Sequence, residues 1–169
     1  MSRSLLLLRH AKSAWDTEAT TDFARPLNKR GKRDAPRIGR WLRQQGLIPD
    51  YVVSSPAERA KQTALKVCHG LDLEEERLHW EPRIYEAPPG ELLQVLADCP
   101  ETARTVLLVG HNPGLELLLR YLCDSAPVPA DGKLLPTATV AQLTMPADWR
   151  QLVPHCARLL AIIRPASLP

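Results

Sequence analysis

Aromatic side chains are scarce, at 5% of 169 residues with a single phenylalanine, so a core here must rest on Leu, Val, Ile and Ala. Long apolar runs are missing too. The opening run, Leu5 to Leu8, is far too short for a signal-peptide core or a membrane span. It stops at Arg9-His10, which fits a buried strand, and no targeting segment is expected. Cysteine is sparse: Cys68, Cys99, Cys123 and Cys156 form no C-x-x-C pair. That excludes a zinc knuckle and a compact disulfide framework, and reduced thiols in a cytoplasm are expected. A G-x-S-x-G elbow is absent, and so is any H-x-x-x-H or clustered Cys/His ligand set. With no internal repeat, low-complexity tract or linker, residues 1–169 are expected to form one domain.

The charge that is present is unevenly spread. The net balance is +3. Residues 1–70 hold 14 Lys/Arg against 6 Asp/Glu, whereas residues 71–169 hold 8 against 13. A basic half points to an anionic partner, without separating a phosphorylated small molecule from nucleic acid or a phosphoprotein.

Hydrophobic patterning predicts alternating strands and helices. Leu5–Leu8 reads as a short buried strand, followed by a polar loop to about Leu27. Ala35, Ile38, Trp41 and Leu42 then recur at helical spacing, with Gly46 as a stop. Tyr51-Val52-Val53 is a second strand. Ser55-Pro56-Ala57-Glu58 reads as a capping box with proline at the first helical position, opening a helix whose apolar face holds Ala57, Ala60, Ala64, Val67 and Cys68. A short strand at Leu78–Trp80 and a helix over Glu91–Ala97 follow. Thr105–Val109 is a β-branched buried strand, and 110–114 turns it into a helix carrying Leu117, Leu118, Tyr121 and Leu122. Residues 125–136 read as a loop, and Val140–Thr144 and Arg158–Ile163 as closing strands. This order predicts a three-layer α/β/α sandwich with a largely parallel central sheet.

In such sheets ligands bind beyond the carboxyl ends of the strands. Arg9-His10 follow the first strand, Ser54-Ser55 and then Arg59 follow the second, and Gly110-His111 follow the strand at 105–109. Two arginines, two histidines and two helix starts, near Ser55 and Asn112, should therefore converge. Arginine's planar fork matches phosphoryl oxygens, and helix N-termini favour anions. A histidine among arginines has its cationic form disfavoured and stays nucleophilic. Such a nucleophile would split phosphoryl transfer into two displacements.

These residues carry a specific resemblance. Leu8-Arg9-His10-Ala11-Lys12-Ser13 resembles the arginine-histidine signature of the histidine phosphatase (phosphoglycerate mutase-like) superfamily. The run from Ser54 to Ala64 resembles its S-S-P-x-x-R-x-x-Q-T-A motif, Val109-Gly110-His111-Asn112-Pro113 its third motif, and Arg25-Pro26-Leu27-Asn28-Lys29-Arg30-Gly31 its R-P-L-x-x-x-G stretch. Short length and Lys12 resemble the SixA-like phosphohistidine phosphatase branch. The resemblance implies a phosphoglycerate mutase-like fold and a metal-independent, cofactor-free phosphatase. His10 would become phosphorylated, Arg9, Arg59 and His111 would clamp the phosphoryl group, and Arg25 would support the pocket. Glu86, in Ile84-Tyr85-Glu86-Ala87, stands where larger members carry their proton donor. The implied partner is phosphohistidine on a protein, or a small phosphorylated metabolite. No nucleic-acid or membrane partner is implied, and oligomeric state is left open.

Plainer interpretations stand beside these. His69, His79 and His155 have no motif around them and read as structural or surface residues. A helix cap accounts for Ser55. The basic run from Lys29 to Arg43 reads as a solvated helix face, since its charges avoid Ile38 and Leu42. The rival functions are a phosphatase of small phosphomonoesters and a non-catalytic phosphate-binding module. A mutase is disfavoured, because a chain this short is not expected to enclose a sugar-sized intermediate.

Overall fold

A strand that buries four consecutive leucines needs a sheet covered on both faces, and the computed structural model, which describes residues 2–124, 126 and 129–169, builds that arrangement. Strand β1 (Arg3–Arg9) contains Leu5 to Leu8, all four inaccessible to solvent. Alternation along the strand sends Leu5 and Leu7 to one face and Leu6 and Leu8 to the other. Full burial stabilises each by about 1.5–3 kcal/mol relative to exposure.

The remaining elements are α1 (Lys29–Gln44), β2 (Tyr51–Ser54), α2 (Glu58–Leu71), β3 (Leu78–Trp80), α3 (Pro89–Ala97), β4 (Thr105–Gly110), α4 (Gly114–Leu122), β5 (Val140–Met145) and β6 (Arg158–Ile163). They form one six-stranded sheet in the order β3-β2-β4-β1-β5-β6. The β3-β2, β2-β4 and β4-β1 pairs are parallel, while β5 runs antiparallel to both β1 and β6. Ile38 and Leu42 of α1 and Ala60 and Ala64 of α2 pack with Leu6 and Leu8 on one face. Leu92 and Leu96 of α3 and Leu115 and Leu119 of α4 pack with Leu5 and Leu7 on the other. The expected three-layer, largely parallel architecture is therefore present.

Local chemistry explains the helix limits. Asn28 caps α1 by accepting the Gly31 N–H at 2.9 Å. Past its end, Gly46 takes φ +72°, while the Leu47 N–H reaches back to the Leu42 carbonyl at 2.9 Å, as a Schellman close requires. The capping box expected at Ser55 is not formed. Helix α2 starts at Glu58 with Ala57 as its cap residue and no side-chain cap bond. The Ser55 hydroxyl accepts the Ala57 N–H at 3.2 Å in a local turn instead, so Pro56 lies before the helix. Similarly, α4 begins at Gly114 rather than at Asn112. Of the expected loop over 125–136, Ser125, Pro127 and Val128 lie outside the described residues. Among the described residues no helix is long and apolar enough to cross a membrane.

Helices α1 and α2 lie against each other through Gly39 and Gly70. A Cβ on Gly39 would collide with the Val67 carbonyl oxygen, and one on Gly70 would come within 2.6 Å of the Pro36 carbonyl oxygen. Both obstacles are backbone and cannot swing aside. Gly39→Ala is expected to destabilise the fold by about 1–3 kcal/mol despite alanine's better helix propensity. A urea unfolding midpoint that stays put or rises would contradict that close approach.

Candidate active site

Parallel register brings the predicted residues side by side. Arg9 at the end of β1 pairs with Gly110 at the end of β4, and Val109 pairs with Ser54 at the end of β2. Residues one step further along each strand, His10, His111 and Ser55, therefore emerge together. The ring centroids of His10 and His111 are 5.2 Å apart. A cavity of about 210 Å³ is lined there by Arg9, His10, Arg25, Arg59 and His111, among others.

His10 is almost fully buried. Its Nδ1 lies 2.8 Å from the Ala11 carbonyl oxygen. A carbonyl can only accept, so Nδ1 carries the proton and Nε2 keeps its lone pair. Burial lowers the pKa of His10 from 6.5 to about 3, helped by the neighbouring His111, Arg59 and Arg9. His111 is lowered to about 4, again first by burial and then by Arg59. Its Nε2 sits 2.8 Å from Ser55 Oγ. Because that oxygen already accepts the Ala57 N–H, its own proton is free to go to His111 Nε2, leaving His111 with Nδ1–H as a donor.

The arginines have distinct settings. Burial lowers the pKa of Arg9, against the opposing charge of Glu116, and its Nη1 donates to the Leu135 carbonyl at 3.2 Å. Arg59 is also buried. Its Nη1 donates to the Asp22 carbonyl oxygen at 2.7 Å and its Nη2 to Asp22 Oδ2 at 3.0 Å. Arg25 donates to Ser13 Oγ at 2.9 Å and Asp22 Oδ1 at 3.1 Å, and its guanidinium lies 3.7 Å from the Trp15 ring centroid. Among the described residues, the buried side-chain polar atoms lacking any hydrogen-bond partner are Arg9 Nε, Arg59 Nε, His111 Nδ1 and Asn112 Oδ1. Such atoms are costly, and all four belong to this one site.

Glu86 is set apart from that group. It is exposed, holds a positive φ of +55° and lines a second, larger cavity of about 450 Å³. That cavity shares Arg59, His111 and Asn112 with the first, and its walls include Pro88, Pro113 and Leu117.

Several contributors were not picked out from the sequence. Asp22 binds Arg59 and Arg25 and also accepts from the Tyr85 hydroxyl at 2.8 Å; the Tyr85 and Arg59 bonds hold its pKa down near 2. Nothing in the polar loop around Asp22 marks it in advance. Thr63 was inside a recognised motif, but its role was not legible: its hydroxyl accepts the Ala11 N–H at 2.9 Å and donates to the Arg59 carbonyl at 2.7 Å. It thereby ties the His10 loop to the Arg59 helix. Gln62 does similar work, accepting the Leu27 N–H at 2.9 Å.

Comparison with known proteins agrees with this geometry. The model of the histidine phosphatase superfamily (branch 1) matches residues 5–98. An uncharacterized protein of Mycobacterium tuberculosis is 33% identical over 158 residues, covering 90% of this chain and 96% of that protein. Among solved structures, a proposed phosphohistidine phosphatase SixA from Nakamurella multipartitia superposes with a TM-score of 0.83 at 28% identity, covering 99% of this chain and 98% of that one. A second proposed SixA, from Agrobacterium tumefaciens, gives 0.79 at 27% identity, covering 97% and 99%.

The neutral histidines link folding to pH. Both have folded pKa values below the ordinary 6.5, so the unfolded chain binds more protons below that value. Stability contributed by keeping them neutral is complete above 6.5 and is lost as pH falls toward 4 and 3. At about pH 5 the loss amounts to roughly 2 kcal/mol per histidine. His10→Gln should remove about half of the pair's loss, seen as a shallower fall in unfolding free energy between about pH 7 and pH 5. Identical slopes for wild type and variant would contradict burial of a neutral His10.

Proposed function

Because this chain belongs to the histidine phosphatase superfamily (branch 1), we propose that it is a metal-independent phosphatase in which His10 is the nucleophile and a phosphohistidine on a protein is the substrate. The observation that carries this is the cluster of unpartnered buried donors, Arg9 Nε, Arg59 Nε and His111 Nδ1, around a histidine whose Nε2 is free. A phosphoryl group supplies the acceptor oxygens those donors lack.

In the first displacement His10 Nε2 forms a bond to phosphorus while the bond from phosphorus to the leaving group breaks. The three donors hold the equatorial oxygens, where charge accumulates. In the second, water attacks phosphorus, the N–P bond breaks, and His10 returns to its neutral form as inorganic phosphate departs. Arg25 and Asp22 act as positioning residues through Arg59, which Asp22 holds by two hydrogen bonds.

The phosphohistidine substrate is supported by Asn112. Its amide nitrogen already donates to Glu116 and Leu135, which leaves Oδ1 as an unpartnered acceptor where the two cavities meet. A departing imidazole carries an N–H for such an acceptor. A phosphatase of small phosphomonoesters is favoured by a different observation, the apolar 450 Å³ cavity, which has room for a compact organic leaving group. The four cysteines are free thiols, which fits the cytoplasmic location proposed here, and the chain is taken to act as a single domain.

Brief exposure to labelled phosphohistidine peptide or aryl phosphate should leave acid-labile phosphate on His10. His10→Ala should lose both the label and turnover, and an active His10→Ala protein would overturn the proposal. Arg59→Ala should lower kcat/KM by the equivalent of about 2–4 kcal/mol, and Arg59→Lys should recover little of it, because an ammonium lacks the fork. Near-complete rescue by lysine would mean that Arg59 acts only as a distant charge.

Glu86 separates the two substrate classes. An alkoxide needs its proton as the bond breaks, whereas an imidazole takes one readily. Glu86→Gln should therefore cost about 10²–10⁴-fold on alkyl phosphates and little on phosphohistidine if Glu86 is the general acid. A substitution silent on every substrate would return Glu86 to the exposed rim where it stands, with no part in proton transfer.

A further inference from the structure

The basic run on α1 does more than face solvent. Arg30, Arg33 and Arg37 all approach one buried carboxylate, Asp34, at 3.4–3.5 Å. They line a cavity of about 310 Å³ completed by Lys133, Asp131 and Arg164. Five cations thus face two carboxylates. Arg164 is consumed by Asp131, which it meets at 2.7 and 3.1 Å. Arg37 is tied to Asp34 and to the Pro165 and Leu168 carbonyls, both at 3.3 Å. Arg30 and Arg33 keep more than half of their side chains exposed, and Lys133 has no ion-pair partner among the described residues. Although Arg30 and Arg33 share Asp34 and Lys133 also feels Asp131, the cavity keeps a net excess of positive charge.

This cavity adjoins the phosphoryl site. Thr137 lines both. The segment carrying Lys133 also supplies the Leu135 carbonyl that Arg9 and Asn112 grip, so one short stretch of chain walls both cavities. The first turn of α1 contains no acidic residue, so its helix dipole adds to the attraction for anions.

We propose that this cavity is a second anion site that takes the acidic side chains flanking the phosphorylated residue of a protein substrate. The proposal rests on the phosphatase function above. A concave, 310 Å³ pocket beside the phosphoryl site suits one or two carboxylates presented by a docked surface. Duplex nucleic acid would instead need an extended basic face. Neutralising charge in the cavity should weaken acidic substrates alone and leave the chemistry untouched.

The test uses two synthetic phosphohistidine peptides, one flanked by glutamates and one by glutamines, with an aryl phosphate as control. At about 50 mM salt the wild-type protein should favour the glutamate peptide by about tenfold in kcat/KM, and this preference should fade at about 500 mM. Arg30→Gln with Arg33→Gln should erase the preference while leaving the glutamine peptide and aryl phosphate unchanged. Lys133→Gln, which breaks no ion pair among the described residues, should lower it in part. Absence of a preference, or its survival in both variants, overturns the site. So does displacement of a fluorescently labelled, unphosphorylated glutamate peptide by a short DNA duplex at lower concentration than by the same peptide unlabelled, measured by fluorescence anisotropy. If no substrate turns over, the phosphatase proposal fails by itself, and anisotropy with the glutamate and glutamine peptides still decides the cavity.

Discussion

Parallel pairing of β1 with β4 sets Arg9 opposite Gly110, and the site follows from that register. Every residue beyond the pair inherits its position: His10 leaves one strand end and His111 the next, while β2 adds Ser55 from the other side of β4. A slip of one residue would turn each inward side chain to the opposite face of the sheet. Ser4 and Arg9, at the two ends of the leucine run, oppose that slip, because it would draw a hydroxyl or a guanidinium into a position the core fills with leucine. Core packing and site assembly are therefore the same constraint, expressed at the middle and the end of one strand.

Burial at that strand end sets the chemistry. Two imidazoles sit among buried guanidiniums, and desolvation keeps both neutral. The Ala11 carbonyl then selects the Nδ1–H form of His10, which aims the free lone pair away from the backbone. Asp22 is the countercharge of Arg59 and Arg25, as Glu116 is of Arg9. It meets Arg59 and Arg25 while half exposed, so water shares the cost of its charge. Orientation of Arg59 thus comes from a loop that the sheet itself does not supply.

Much of this was legible in the sequence, and the limits have physical causes. Strand and helix order followed from period and length, since Leu5–Leu8 and Thr105–Val109 had no other use. The convergence of Arg9, His10, Arg59 and His111 followed from strand-end topology. The caps were harder. Ser55 fits a helix cap by pattern, but its hydroxyl binds the Ala57 N–H in a turn and meets His111, a tertiary contact that no local pattern announces. Asp22 and Tyr85 were illegible for the same reason, as they meet across 63 residues. The basic face of α1 was read as solvated because its periodicity is amphipathic. That three of its arginines gather on Asp34 depends on the chain packed beside it.

The nitrogen chemical shifts of the His10 and His111 rings, followed against pH in labelled protein, bear most directly on the proposed nucleophile, a buried and neutral His10 at the end of β1. His10 should remain neutral and protonated at Nδ1 from about pH 8 to below pH 5. Titration of His10 near the ordinary value of 6.5, or protonation at Nε2 instead, would contradict it.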